Sequence, residues 1–111
     1  MAEDYRVWFK ERGRGGQAYY EETSLLTFDM EMFTGPGTTI YARSPEEWDA
    51  YYETHQAPWA KGRRAEILDR LGKEMLRKFY GAGKYSVEEH WVYLVPARWF
   101  FKRLIGRFRK P

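Results

Sequence analysis

Between Leu25 and Phe33 the chain reads LLTFDMEMF, and Leu26, Phe28, Met30 and Met32 alternate with Thr27, Asp29 and Glu31. Successive side chains of an extended chain point to opposite faces, so this run gathers its apolar residues on one face and its charges on the other. The stretch is a strand whose sheet has one covered face and one solvated face. Sheets of that kind are antiparallel.

The neighbouring segments fit the same sheet. Tyr5, Val7 and Phe9 alternate with Arg6, Trp8 and Lys10, which predicts a strand over YRVWFK. ERGRGGQ reads as a loop whose glycines accept positive φ. AYYEE and then TTIYAR add two more short strands, the second rich in β-branched residues and preceded by a GPG turn. The run KYSVEEHWVYLV, Lys84 to Val95, reads as one last strand with Glu88 and His90 on the same face.

Helical signals begin at Ser44. SPEEW places a cap residue at Ser44, proline at the first helical position and Glu47 three residues past the cap, the pattern of a capping box. Trp48, Tyr51, Tyr52 and His55 then share one face. A second helix is expected from near Trp59 to about Tyr80, striped by Ile67, Leu68, Leu71, Met75, Leu76 and Phe79. The order β-β-β-β-α-α-β-α predicts a single α+β domain over 1–111, an antiparallel sheet of about five strands with two to three helices on one face.

The remaining segment, PARWFFKRLIGRFRKP, is basic and apolar at once. On a helical wheel Phe100, Phe101, Leu104, Ile105 and Phe108 fall within an arc of about 140°. Arg98, Lys102, Arg103, Arg107, Arg109 and Lys110 lie outside that arc, and Trp99 falls among them. A basic amphipathic C-terminal helix over 97–111 is expected, with its apolar arc closing the core. Of nineteen basic and sixteen acidic residues, six basic and no acidic ones lie in this segment, so the rest of the chain carries thirteen basic against sixteen acidic, a net −3. Such a split marks an interaction tail or a tail docked on its own acidic body.

Little in the sequence points to catalysis. The chain has no cysteine, which excludes a disulfide framework, a thiolate zinc site and a cysteine nucleophile. His55, Glu88 and His90 offer fewer ligands than a zinc site needs unless the fold brings them together. Ser24, Ser44 and Ser86 lack the flanking glycines of a nucleophile elbow, and GRGGQ matches no phosphate-binding motif. No catalytic residue, cofactor or metal is assigned, and no enzymatic activity is expected. MAEDYRVWF lacks the basic and apolar regions of a signal peptide, and no apolar run reaches a membrane span, so the cytoplasm is the expected location.

Binding is the better-supported class. Lys61, Arg63 and Arg64 gather where the second helix should start, against its dipole, and would suit an anion or an acidic partner unless nearby carboxylates neutralise them. Trp8 shares a strand face with Arg6 and Lys10, an interleave that suits base stacking but also suits packing beneath a helix. The expected function is a small accessory or regulatory module that binds a protein partner through an aromatic sheet face and the basic helix. The alternatives are nucleic-acid binding through Lys61, Arg63, Arg64 and the tail cations, and peripheral binding to an anionic membrane through the tail. Homo-oligomer formation is compatible with each.

Overall fold

The computed structural model describes residues 4–34 and 37–97. Strands β1 (Arg6–Arg12) and β2 (Gly15–Glu21) form a hairpin. The seven-residue loop expected there shrinks to Gly13-Arg14, with Gly13 at φ 63°. The glycines that suggested a loop instead let the hairpin close tightly, because a Cβ at Gly16 would collide with the Lys10 carbonyl on the paired strand. β3 (Leu25–Thr34) pairs with β2 and then with β4 (Gly37–Tyr41).

The chain next forms α1 (Pro45–Thr54), a 3-10 turn (Pro58–Ala60), α2 (Arg64–Met75) and a π-helical turn (Leu76–Tyr80). It returns as β5 (Gly83–Val87) and β6 (Trp91–Pro96). The strands lie in the order β1-β2-β3-β4-β6-β5, every neighbour antiparallel. The fold is α+β with both helices on one sheet face.

The sheet has six strands because Lys84–Val95 is not one strand. It folds at Glu88-Glu89-His90, where the Glu88 N–H donates to the Trp91 carbonyl at 2.7 Å. A straight run of these twelve residues would extend roughly 40 Å. β4 pairs with only four of them, Trp91 to Leu94, so much of a straight run would leave the sheet unpaired. Folding back puts Tyr85 beside Leu94 on the covered face.

α2 also starts later than expected, at Arg64 rather than near Trp59. Gly62 at φ 73° breaks the path, and its N–H donates to Asp49 of α1 at 2.8 Å. α1 begins as expected. The Ser44 hydroxyl accepts from the Glu47 N–H at 3.3 Å, and the Glu47 carboxylate accepts from the Ser44 N–H at 3.4 Å.

The apolar residues singled out in β3 face these helices. Leu26, Phe28 and Met30 join Tyr20, Ile40, Val92 and Leu94 beneath Trp48 of α1 and Ile67, Leu68, Leu71 and Met75 of α2. Gly72 is the point of closest approach, since a Cβ there would sit 2.6 Å from the Tyr85 ring. Gly72→Val is expected to cost about 1–3 kcal/mol of stability, read by urea denaturation, because neither the helix nor the paired strand can move away. The tail expected to close this core, 98–111, lies outside the described residues.

Candidate functional site

The three basic residues at the start of α2 all have partners within the chain. Lys61 pairs with Glu53 at 3.1 Å. Arg63 reaches Glu22 at 2.6 Å and Glu66 at 2.9 Å. Arg64 donates to the carbonyls of Arg43 at 2.8 Å, Glu88 at 2.7 Å and Glu89 at 2.6 Å, tying the β5–β6 turn to the loop before α1. Burial holds the Arg64 pKa below its ordinary value, against the pull of Glu46 and Glu89. Two of these partners, Glu22 and the turn carbonyls, are remote in sequence, which is why the sequence showed the cations without their counterparts.

Glu22 is the centre of a larger network. It also meets Arg70 at 3.3 Å and accepts from the Tyr20 hydroxyl, while Tyr20 is flanked by Tyr5 and Trp59 with ring centres 5.6 and 6.2 Å away. Burial, helped by the Glu22 carboxylate, pushes the Tyr20 phenol up to about 12. The network links β2, α2 and the 3-10 turn.

The histidines do not converge with Glu88. His55 stacks on Tyr51 at 3.8 Å and its Nδ1 meets the Tyr51 carbonyl at 2.7 Å. His90 and Glu88 lie in the β5–β6 turn, and the Nε2 of His90 is 3.8 Å from Glu89. Among the described residues no three His, Asp or Glu side chains are grouped to hold a metal ion. No described helix is long and apolar enough to cross a membrane.

The sheet face opposite the helices has a different character. Register and alternation place Trp8 of β1 on it beside Tyr19 of β2, so Trp8 does not pack beneath a helix. The two rings stack at 5.3 Å, and the Arg6 guanidinium lies 4.9 Å over the indole. On the far side of β3, Tyr41 of β4 pairs with Trp91 of β6, and Thr39 pairs with Tyr93. Tyr41 and Trp91 are 41% and 42% exposed. Between the two aromatic pairs β3 presents Thr27, Asp29 and Glu31, with Glu31 accepting from the Tyr41 hydroxyl at 2.7 Å. The other acid of this face, Glu21, pairs with Arg6 at 3.2 Å.

A cleft of about 280 Å³ opens where the chain leaves β4 and parts from β3. Thr27, Asp29 and Tyr41 form its sheet side, Arg43, Glu47 and Tyr51 its outer wall, and Phe28 and Tyr52 contribute apolar lining. Arg43 lies 3.4 Å over the Tyr51 ring, which also stacks with His55 at 3.8 Å and meets Tyr52 edge-on at 5.0 Å. The sequence singled out neither Arg43 nor Asp29. They lie 14 residues apart in the chain, and only the fold brings Asp29 on β3 and Arg43 in the loop after β4 to one cleft.

Of the other residues assigned to binding, Arg98, Trp99, Lys102, Arg103, Arg107, Arg109 and Lys110 lie outside the described residues. The chain matches no protein-family model, no curated protein and no solved structure.

Proposed function

We propose that this chain is a small accessory or regulatory module that binds a protein partner through the uncovered, aromatic sheet face. The observation that carries this reading is the display of Trp8, Tyr19, Tyr41, Trp91 and Tyr93 on the one sheet face the helices leave open. Tyr, Trp and Arg are the residue types that dominate protein interfaces, since their rigid rings bury large area while a polar end stays satisfied. Arg6, Lys10 and Arg12 on β1 are offset by Glu21, Asp29 and Glu31 on β2 and β3. That mixture suits a protein surface better than a run of phosphates. The intramolecular pairing of Lys61, Arg63 and Arg64 further weakens the nucleic-acid alternative.

The test is affinity capture with the full-length protein against the double variant Trp8→Ala, Trp91→Ala. The variant is expected to fold, because both indoles project away from the core, and to bind the captured partner at least about tenfold more weakly, the equivalent of ~1.4 kcal/mol. Tight, tryptophan-dependent binding of single-stranded oligonucleotides with a steep salt dependence would instead identify the face as a base-stacking platform. Tryptophan-independent capture of every partner would remove the face from the function.

A further inference from the structure

The uncovered face has rings, carboxylates and a cleft, but no second layer among the described residues. Its acids are not evenly spread. Asp29 and Glu47 line the cleft against one cation, Arg43. In the same row of the face, the side-chain oxygen of Gln17 is buried without a hydrogen-bond partner among the described residues, while its amide donates to Asp29 at 3.4 Å. Carboxylates and an unpartnered acceptor beside aromatic rings call for a segment that brings cationic donors together with apolar side chains.

The chain itself contains such a segment. Residues 98–111 hold six Lys or Arg and no acid, interleaved with Trp99, Phe100, Phe101, Leu104, Ile105 and Phe108. The segment follows Ala97 directly after β6, an inner strand of the sheet, so it leaves from the border of the uncovered face. From Pro96 back to Trp91 along β6 is roughly 17 Å. Fourteen residues span about 21 Å even when fully helical. The core it was expected to close already has α1 and α2 over it.

We propose that segment 98–111 is the resident occupant of the uncovered face, turning back across β6 and β4 so that its cations meet Asp29 at the cleft and Glu31 farther along β3. This rests on the reading of that face as a binding surface, and it adds regulation: an incoming partner must displace the chain's own tail. Any partner would then resemble the tail, a segment with basic residues spaced by aromatic and aliphatic ones.

The absence of cysteine makes a clean test in the full-length chain. Nitroxide labels are placed at Ala50→Cys, on the exposed side of α1, and Gly106→Cys, which spares every cation and ring of the tail. Electron–electron double resonance is expected to show one narrow distance that lengthens and broadens when Asp29→Lys and Glu31→Lys are added, at an unchanged melting temperature. A broad distribution that the charge reversal leaves alone overturns the proposal. So does a narrow distance that persists after it, which would seat the tail elsewhere. A short distance found only between separately labelled molecules would assign the face to a second copy, and also overturns it. The measurement needs no partner, so its failure leaves the Trp8 and Trp91 capture experiment standing, and failure of that experiment leaves this one readable.

Discussion

Replacing Trp48 with alanine is expected to lower the unfolding free energy by about 3–5 kcal/mol, read as a drop in the urea midpoint at constant slope. Trp48 is the side chain through which α1 holds the sheet. It is 1% exposed, lies along Phe28 at 6.1 Å, meets Tyr52 edge-on at 4.6 Å and donates its indole N–H to the Ala60 carbonyl at 2.8 Å. That last bond anchors the 3-10 turn, so the same residue fixes both ends of the connection between α1 and α2. α1 has only ten residues and cannot persist as an isolated helix. The conservative variant Trp48→Phe keeps a ring but removes the indole donor, leaving the Ala60 carbonyl with the Arg63 N–H alone at 3.1 Å, for an expected loss of about 0.5–1.5 kcal/mol. A loss for Trp48→Ala within ~0.5 kcal/mol, the range of surface changes, would show that α1 is held by something else.

Glu22→Gln is expected to be the most damaging isosteric change, at about 2–3 kcal/mol. The fully buried limit for breaking such a pair is higher, but water reaches this one. The Glu22 side chain is 15% exposed, with Arg63 at 25% and Arg70 at 14%, so removing its charge leaves the two guanidinium groups sharing one carboxylate, Glu66. The hydrogen bond from Arg63, followed by those of Tyr20 and the field of both arginines, holds the Glu22 carboxyl below its ordinary value of 4.5 despite burial. A carboxyl with a depressed folded pKa stabilises the fold above its unfolded value. That stability is lost as the pH falls through the folded value. Glu66, Asp69 and Glu74 shift the same way, through Arg63, Tyr85 and Arg77 respectively. Thermal melting should therefore be nearly flat from neutral pH down to about 5 and fall steadily below it. The Glu22→Gln curve should start lower at neutral pH and fall less with acid, converging on the wild type. Parallel curves would mean that Glu22 titrates normally and that its network adds nothing.

Alternation along Leu25–Phe33 was sufficient to place a strand and to say which of its residues lie inside. The Ser44 capping box likewise located the start of α1 to the residue. Both are local signals, carried by side chains within one or two turns of each other. The errors fell where a local pattern had two solutions. Lys84 to Val95 alternates whether it is one strand or a hairpin, and only the length of β4 beside it selects the hairpin. Glycines at 15 and 16 read as loop because they are flexible, whereas here both lie in β2 and the missing side chain of Gly16 admits the Lys10 carbonyl. Trp8 alternates correctly in the sequence, but which face the helices cover is not encoded in β1.

The sequence by itself determined the fold class, the covered face of β3, the entry to α1 and the concentration of positive charge after Ala97, because each follows from spacing along the chain. The tertiary structure decided which charges remain available. Lys61, Arg63 and Arg64 look alike in sequence, yet each is engaged by groups at least three residues away, and one by carbonyls 21 to 25 residues distant. It also assembled the cleft from β3, the end of β4 and α1. Pairing of charges and the opening of a cleft depend on distances in space, which a periodic pattern in one strand or helix cannot fix.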